Sequence, residues 1–407
     1  MINKIEVLNN LLEYVTKNND YYKCLYSNVQ LPVKISDELP ILYRSEIRKN
    51  KFQLISKQYN INDLNHDLTN GTTEYIPLDI YRTRSESINT DLNLWKRRWM
   101  VNKSASFRLA DYYYNHNDYS NKYHIIDNKE SIIIKLPMKK KYIEDYIKDI
   151  ELMKNKNINW LIGPPSILYT LAYISVKYDI CFKIDIIESV SEYLPSFYKE
   201  LFEKVFNARV IVDYSCHEAI GMAFENKNND LEIMDTVIID EKEDKRFTNN
   251  YKRCIVTNLI VNSMPFIRYE LSDLILKKGN IIKTFGFRWT EFMIIQNIKI
   301  HCSFFVNIFE QFDIIKLIPL ENYQLIYNNN EITMLLLNTN ILFFDEIKNY
   351  LTEELYKEYS IKVPINTINS KHFFADTVSG KMRGILKKDE IWLDFGNMNK
   401  IQQSELF

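Results

Sequence analysis

The spacing of apolar residues changes repeatedly along the chain and predicts alternating helices and strands. Near the N-terminus, apolar residues from Ile5 to Val15 recur at intervals of three and four, as on the buried face of an amphipathic helix. "SIIIKL" at 131–136 and "INWLIG" at 158–163 are instead short apolar runs, which are typical of buried strands. The chain therefore combines both kinds of element.

The stretch from 158 to 214 predicts a strand–helix–strand series. After the strand that ends at Ile162, "GPPS" leads into helical spacing, with Ser166 as the predicted N-cap. "KIDII" at 183–187 predicts a second strand, Pro195 opens a second helix, and "ARVIVDY" at 208–214 predicts a third strand. Ligands bind beyond the carboxyl ends of the strands in such sheets. The polar tip "YSCHE", from Tyr214 to Glu218, is therefore predicted to lie where chemistry takes place.

A hairpin is predicted in the next third of the chain. "RCIVTNLIVNSMPFIRYELSDLI", from Arg253 to Ile275, begins with a run rich in β-branched residues that ends near Val261. A turn is predicted from Asn262 to Pro265, and a returning strand reaches Tyr269. Short strands and helices follow, and neither an internal repeat nor a low-complexity linker separates them, so any domain boundary is expected to be a short hinge.

Length and charge limit the classes of function. The 407 residues exceed the usual size of a single core, so two domains are expected. The 46% hydrophobic and 26% charged composition is that of a globular protein. A net charge of −1, from 52 basic and 53 acidic residues, gives no general attraction to nucleic acid or to an anionic membrane.

The compartment is predicted from the cysteines and from the apolar runs. Five cysteines without a CxxC pair fit free thiols in a reducing compartment, and no zinc site is proposed. Neither a signal-peptide core nor a run of about twenty apolar residues is found. A cytoplasmic protein is therefore expected.

The loop "LTNGTTEYIP", from Leu68 to Pro77, is the first candidate binding element. It groups threonines around one of only 8 glycines. Hydroxyl-rich loops with a free glycine backbone bind phosphate, and they also form ordinary turns. Taken alone, the composition of this loop favours an ordinary turn over a phosphate-binding loop.

Five stretches resemble, in the same order, the motifs of the adenylate-forming enzymes, and within them the phenylacetate-CoA ligase branch with its capsular-polysaccharide-biosynthesis-type relatives. "TNGTT" is similar to the phosphate loop TSG[ST]TGxP, and "LIGPPSILYTLA" to LxGxPSxLxxLA. "DYSCHEAIG" is similar to YGxTExxG, "VTNL…MPFIRYELSD" to VTxL…xPLIRYxxGD, and "SGKMRGIL" to the C-terminal GKxxR segment. The resemblance runs from about Leu39 to Leu386.

The resemblance implies a nucleotide-binding site with two parts. The hydroxyl and main-chain N–H groups of the loop would hold the β- and γ-phosphates of ATP. Tyr214 would border the adenine, Asp273 would bind both ribose hydroxyls, and Arg288 in "FRWTE" would face the ribose or a phosphate. The loop residues that match the motif are Thr69, Gly71, Thr72 and Thr73.

Two further residues would take part in catalysis. Glu218 would hold Mg²⁺, because hard cations prefer oxygen ligands. Lys381 would neutralise charge at the carboxylate and the α-phosphate during adenylation. The resemblance thus implies ATP and Mg²⁺ as cofactors.

The resemblance also implies the architecture. The expected fold is α/β, with a large N-terminal adenylate-forming domain of βαβ sheet layers at 1–290 and a small C-terminal α+β lid domain at 291–407. Glu291 would be the hinge about which the lid rotates after adenylation.

The implied reaction activates a small carboxylic acid to an acyl-adenylate and passes the acyl group to a thiol, either coenzyme A or the phosphopantetheine of an acyl carrier protein. An amide-forming ligase with the same first half-reaction and a non-catalytic homologue that binds a nucleotide or a partner remain alternatives. A homodimer is left open by analogy with the family, and neither nucleic acid nor membrane is expected as a partner.

Several residues depart from the family pattern. Glu74 replaces a glycine of the phosphate loop or its neighbour, Ser215 replaces the glycine after Tyr214, and Phe287 replaces the glycine before Arg288. These changes indicate a divergent enzyme or one that has lost a half-reaction. His217 and Cys216 are interpreted as a structural histidine and an inert thiol.

Overall fold

A computed structural model describes residues 3–69, 77–102, 107–113, 124–127, 131–138, 143–248, 250–316, 323–337, 343–370, 374 and 382–390. Helices and strands alternate along most of these ranges, so the mixed α/β class that was predicted is confirmed. The helices are α1 (Lys4–Asn18), α2 (Asp20–Leu25), α3 (Arg44–Asn50), α4 (Arg84–Val101), α5 (Ile143–Asn155), α6 (Pro165–Lys177), α7 (Ser196–Phe206), α8 (Cys302–Lys316) and α9 (Phe344–Tyr359).

The strands form hairpins and larger sheets. In chain order they are β1 (Asn65–Leu68), β2 (Asp79–Arg82), β3 (Arg108–Tyr113), β4 (His124–Asp127), β5 (Ile132–Pro137), β6 (Trp160–Gly163), β7 (Ile186–Ser189), β8 (Arg209–Tyr214), β9 (Ala223–Glu225), β10 (Leu231–Ile233), β11 (Val237–Lys242), β12 (Lys252–Asn258), β13 (Tyr269–Lys278), β14 (Ile281–Arg288), β15 (Phe292–Ile295), β16 (Ile298–His301), β17 (Tyr323–Tyr327), β18 (Ile332–Leu337), β19 (Ile365–Ser370) and β20 (Ile385–Lys387). No helix within the described ranges is long and apolar enough to cross a membrane.

The chain divides into two compact units. The first unit comprises residues 1–103, 213–244 and 251–284, and the second comprises 104–212, 245–250 and 285–407. The units combine distant parts of the sequence, since each contains three separate stretches. The predicted boundary between 290 and 291 concerns a different division, into a large domain and a lid, and stays a prediction.

The first unit contains α1 to α4 and a largely antiparallel sheet. Its strands have the order β11-β12-β13-β14-β10-β9, and the β1–β2 hairpin is separate. The predicted N-terminal helix is confirmed as α1, whose Leu8, Leu11, Leu12 and Val15 are buried. The side chain of Asn3 caps this helix by accepting a hydrogen bond from the Glu6 N–H.

The predicted hairpin is confirmed, although its connection is longer than expected. β12 pairs with β13 in antiparallel fashion, but β13 begins at Tyr269 instead of ending there. Arg268, immediately before β13, has a φ of 54°, in the left-handed region and not in an extended conformation, and its N–H donates to the Thr257 hydroxyl at 2.9 Å. The chain therefore loops before it can enter the second strand.

The second unit contains the predicted strand–helix–strand series. Its larger sheet has the order β8-β7-β6-β3-β5-β4, in which β4 alone of these described strands is antiparallel to its neighbour. A core of fully buried side chains, among them Leu161, Leu168 and Phe202, joins this sheet to α5, α6 and α7. A smaller sheet, β19-β18-β17-β20, packs with α9.

The start of α6 differs from the prediction. The N-cap is Pro164 and not Ser166, because the helix begins at Pro165. Ser166 donates its backbone N–H to Glu192 at 3.0 Å and its hydroxyl to the same carboxylate at 2.8 Å. A distant carboxylate thus satisfies the helix N-terminus, and no local sequence pattern indicates it. The second predicted helix is confirmed as α7, but Pro195 is its N-cap and the helix begins one residue later, at Ser196.

Glu86 ties the start of α4 to the connection between β12 and β13. Its carboxylate accepts hydrogen bonds from Thr83, from the N–H groups of Asn262 and Ser263, and from the Ser263 hydroxyl. Burial acts to raise the pKa of Glu86, but the hydrogen bonds from Ser263, Thr83 and Asn262 outweigh it and lower the pKa from 4.5. The charged form is therefore the form that the fold stabilises.

We expect Glu86→Gln to lower the free energy of unfolding by about 1–2 kcal/mol at neutral pH, because an amide cannot accept as many hydrogen bonds. Since the pKa of Glu86 is lower in the folded state, its contribution is complete above 4.5 and is lost as the pH falls through the folded-state pKa. Urea titrations at several pH values would measure the difference, with the exposed Glu13→Gln as the control. A difference that persists unchanged at acidic pH would contradict this account.

Candidate functional site

Tyr214 and Asp273 meet in the first unit. Tyr214 is the last residue of β8, and its hydroxyl donates a hydrogen bond to Asp273 Oδ2 in β13 at 2.9 Å. Burial, with a further contribution from the negative charge of Asp273, raises the pKa of Tyr214 well above its ordinary value. Tyr214 is therefore a fixed donor that orients the carboxylate.

Glu218 is the second predicted residue at this tip, and only 5% of it is exposed. Its Oε1 accepts a hydrogen bond from the Tyr269 hydroxyl at 3.0 Å and lies 3.8 Å from Arg44 Nη1. Burial and the charge of Glu218 raise the pKa of Tyr269 well above its usual range. The carboxylate is thus held between a neutral donor and a cation.

Thr69 closes the base of the predicted phosphate loop. Its backbone N–H donates to the Leu78 carbonyl at 3.0 Å, and its hydroxyl accepts from the Leu78 N–H at 2.8 Å. Arg44 Nη2 donates to the same hydroxyl at 3.4 Å. Gly71, Thr72, Thr73 and Glu74 lie outside the described residues, so the phosphate loop stays a prediction.

Arg44 is a candidate functional residue that sequence reasoning missed. It is the first residue of α3, and the backbone just before it pairs with the start of β13. The Leu42 N–H donates to the Arg268 carbonyl at 2.9 Å, and the Leu42 carbonyl accepts from the Glu270 N–H at 3.0 Å. This pairing between distant segments places Arg44 beside Tyr269, and no local pattern encodes it.

One departure from the family pattern, Ser215, lies at the tip and has a structural explanation. The Ser215 hydroxyl donates a hydrogen bond to Asp213 and accepts one from the Gly221 N–H at 2.9 Å. It therefore connects the end of β8 to the far end of the loop that follows it. Gly221 has a φ of 69°, which side chains rarely adopt. Burial raises the pKa of the Cys216 thiol well above its usual value, as expected for an inert thiol. The carbonyl of His217 accepts a hydrogen bond from the buried Arg82.

Arg288 and Glu291 belong to the second unit. The Arg288 carbonyl accepts the Glu291 N–H at 2.9 Å and the Cys302 thiol at 3.2 Å. The Cys302 N–H in turn donates to the Glu291 carbonyl at 3.0 Å. The predicted hinge is therefore a tight turn bonded to the start of α8. Lys381 lies outside the described residues.

The third departure, Phe287, is buried in the same unit. Its ring packs against those of Phe285 and Tyr323, with ring centroids 5.6 and 5.1 Å apart. A Cβ atom added at Gly384 would overlap the Phe287 ring. The aromatic side chain therefore fits here because its neighbour has none.

Glu218 is the carboxylate at the tip that the sequence analysis assigned to Mg²⁺. Within the part of the chain that the structure describes, no three His, Cys, Asp or Glu side chains are grouped to hold an ion. Mg²⁺ commonly takes one or two carboxylates and completes its octahedron with water and substrate phosphates. Glu218 fits a site of that kind, while a closed metal cage does not fit the described residues.

Comparisons with known proteins identify the fold. No protein-family model matches the chain, and neither does any curated protein. The crystal structure of 2-hydroxyisobutyryl-CoA ligase in the postadenylation state, in complex with R3-HIB-AMP, matches with a TM-score of 0.64 at 12% identity, covering 95% of this chain and 89% of that one. Its open conformation with 2-HIB-AMP and CoA matches with a TM-score of 0.59 at 11% identity, covering 94% and 90%.

A third state of that ligase, in complex with 2-HIB-AMP and CoA in the thioesterification state, gives a TM-score of 0.57 at 10% identity, with 95% and 89% covered. At sequence identities this low, structural similarity shows the fold alone. The activity therefore has to be argued from the residues. The chain therefore has the fold of the adenylate-forming CoA ligases, as its motifs predicted.

Proposed function

We propose that this protein is an ATP-dependent ligase that converts a small carboxylic acid to an acyl-adenylate and then passes the acyl group to a thiol. In the first step a carboxylate oxygen bonds to the α-phosphorus of ATP, and the bond from that phosphorus to the β-phosphate oxygen breaks to release pyrophosphate. In the second step a thiolate sulfur bonds to the acyl carbon, and AMP leaves. Coenzyme A or a carrier-protein phosphopantetheine supplies the thiol.

The observation that carries this proposal is the meeting of three chain segments around the tip after β8. Glu218 follows β8, Tyr269 belongs to β13, and Arg44 begins α3. Arg44 also reaches Thr69 at the base of the candidate phosphate loop. A cation and an anion next to a hydroxyl-rich loop suit a polyphosphate with its counter-ion.

Asp273 and Tyr214 have the chemistry needed to bind the nucleoside part of ATP. A carboxylate accepts hydrogen bonds from two neighbouring hydroxyls, and the Tyr214 donor holds Asp273 in one orientation before ligand arrives. Such preorganisation lowers the entropy cost of binding. We assign the ribose to Asp273 and the adenine border to Tyr214.

Mg²⁺ would be held by Glu218 and would withdraw charge from the phosphates of ATP. Arg44 lies near the same carboxylate and can neutralise it in the absence of the ion. Thr69 and the loop after it would hold the β- and γ-phosphates. These side chains orient the leaving pyrophosphate and stabilise its charge.

Lys381 would neutralise the charge that develops between the carboxylate and the α-phosphate, and Arg288 would contact the ribose or a phosphate. We further propose that residues 291–407 act as a lid and that Glu291 is its hinge. The bonds from Cys302 to Arg288 and Glu291 support this role, because they give the turn a defined pivot.

The deciding experiment is pyrophosphate release from Mg·ATP across a panel of aliphatic, hydroxylated and aromatic carboxylic acids. Release that depends on the acid supports adenylation, and product analysis with coenzyme A, phosphopantetheinylated carrier protein or an amine identifies the acceptor. Binding of ATP without release under every acid would support a non-catalytic homologue instead. A protein that binds no ATP at any Mg²⁺ concentration would overturn the proposal.

We expect Arg44→Ala to weaken binding of Mg·ATP about tenfold, because a charge-assisted contact near the phosphates is lost. Arg44→Lys should recover part of this affinity, since it keeps the charge without the fork of donors. Calorimetric titration would measure both, with the exposed Lys49→Ala on the same helix as the control. Equal affinity in Arg44→Ala and the wild type would remove Arg44 from the site.

A further inference from the structure

Arg82 is a buried cation whose side chain reaches the tip after β8. It is the last residue of β2, the strand that follows the candidate phosphate loop, and only 3% of it is exposed. Its Nη2 donates a hydrogen bond to the His217 carbonyl, and its Nη1 lies 3.8 Å from Oδ2 of the exposed Asp67. Burial lowers the pKa of Arg82 below its ordinary value, against the opposing charge of Asp67. Because burying a cation is costly, its contact with the tip indicates its role.

Asn258 reaches the same tip from the end of β12. Its Nδ2 donates to the Glu218 carbonyl at 3.3 Å, and its Oδ1 accepts from the Ile260 N–H at 3.0 Å. The Asn258 N–H donates in turn to the Phe266 carbonyl at 2.9 Å. Since the Ile260 N–H occupies the acceptor of this side chain, the amide presents its donor to Glu218.

The two carbonyls belong to the two peptide units that meet at the Glu218 Cα. A peptide unit is planar and includes the Cα atoms at both of its ends. The unit with the His217 carbonyl ends at the Glu218 Cα, and the unit with the Glu218 carbonyl begins there. Arg82 therefore holds one plane and Asn258 holds the other, and together they restrict the φ and ψ of Glu218.

The rest of the tip restricts Glu218 further. Cys216 and Ala219 exchange backbone hydrogen bonds of 3.3 and 3.1 Å around it. Its carboxylate accepts a hydrogen bond from the Tyr269 hydroxyl at 3.0 Å and lies 3.8 Å from Arg44 Nη1. Both the backbone and the carboxylate of Glu218 are thus oriented by the protein itself. Groups that orient a metal-binding side chain typically contribute about 10- to 100-fold in metal affinity.

We propose that Arg82 and Asn258 are positioning residues for Glu218 and hold its carboxylate in the orientation that binds Mg²⁺. This role rests on the ATP-dependent function proposed above. Arg82 also joins the tip to β2, and β1 and β2 flank the candidate phosphate loop. One side chain therefore connects the strand that leaves this loop with the proposed metal ligand.

The charge of Arg82 and its hold on the tip have opposite effects on a bound cation. The charges of Arg82 and Glu218 interact, so removing the positive charge alone would strengthen the binding of a cation by Glu218. Loss of the bond to the His217 carbonyl would weaken that binding, because Glu218 would then have to be ordered when the metal binds. The sign of the change in metal affinity therefore separates the two roles.

The test is calorimetric titration of ATP into the wild type and Arg82→Met, once with Mg²⁺ and once with EDTA. The ratio of the two affinities measures the contribution of the metal. We expect this ratio to fall about tenfold in Arg82→Met. Arg97→Met is the control, because it removes an arginine from α4 that lies 3.4 Å from Glu232, and it should leave the ratio unchanged. An unchanged or larger ratio in Arg82→Met would overturn the proposal.

Asn258→Ala is the second variant, because it releases the other peptide plane without changing the charge. It should lower the same ratio, and it tests the proposal even if Arg82→Met does not fold. In the Glu218→Gln background, neither substitution should lower the ratio further, since both act through this carboxylate. Equal falls in the wild-type and Glu218→Gln backgrounds would show that Arg82 and Asn258 support the fold and do not position Glu218.

Amide hydrogen exchange gives a readout that needs no ligand. The Ala219 amide, which donates to the Cys216 carbonyl, should exchange about tenfold faster in Arg82→Met than in the wild type. Unchanged protection, with a wild type that releases pyrophosphate, would overturn the positioning role and leave the ligase function intact. A wild type that binds no ATP would overturn the proposed function and with it the role toward the metal, even if the Ala219 amide exchanges faster in the variant.

Discussion

Lys381→Ala should lower the rate of acyl-adenylate formation by about two to three orders of magnitude, or about 3–4 kcal/mol, which is the usual effect of removing one group that stabilises developing charge. The proposed role is specific to the first half-reaction, because charge builds there on the carboxylate and the α-phosphate at the same time. We therefore expect kcat to fall more than the affinity for ATP.

The control for Lys381→Ala is Lys387→Ala, which removes a lysine from β20 that is half exposed and pairs with Asp389 at 2.7 Å. This variant should keep the wild-type rate. Single-turnover measurements of adenylation, beside thioester formation from a supplied acyl-adenylate, would resolve the two steps. Equal losses in both steps would show that Lys381 serves the fold or the whole cycle and not adenylation in particular.

Asp273→Ala should weaken binding of Mg·ATP at least tenfold, and at least about a hundredfold if both ribose hydroxyl bonds are lost, because hydrogen bonds to a charged group contribute about 1.5–3 kcal/mol each. Calorimetric titration into the wild type and the variant measures this directly. The substitution also leaves the buried Tyr214 hydroxyl without its acceptor, so a second variant is needed to interpret the result.

Tyr214→Phe is that variant. It removes the bond between the tyrosine and Asp273 but keeps the carboxylate and an aromatic ring beside the proposed adenine position. We expect its affinity for Mg·ATP to stay within about threefold of the wild type. If Tyr214→Phe and Asp273→Ala weaken binding equally, the carboxylate acts by holding the tip together and not by contacting the ribose.

The sequence predicted much of the fold because local patterns encode it. Helical spacing from Ile5 to Val15 is enough to define α1, and the apolar run at 158–163 is enough to define β6. The ordered motifs then predicted the fold class and placed Tyr214 and Asp273 in one site, which the hydrogen bond between them supports. The order of the motifs along the chain predicted the fold class and this shared site, which amino-acid composition and the spacing of apolar residues did not predict.

What the sequence did not predict depends on contacts between distant segments. Arg44 enters the candidate site through backbone pairing with β13, and Glu192 satisfies the start of α6 from a separate loop. The buried Gln324 of β17 matches no motif, and only the fold shows that its side chain donates to the carbonyls of Phe374 and Arg383. Each of these residues is polar and lies in an ordinary stretch, so only the folded chain shows its purpose.

Gly384 and Phe287 constrain each other's side chains. A Cβ at position 384 would overlap the Phe287 ring, so any side chain there requires this ring to move. A smaller residue at 287 should therefore make position 384 tolerant of alanine. The two positions have to be exchanged together in any redesign of this core.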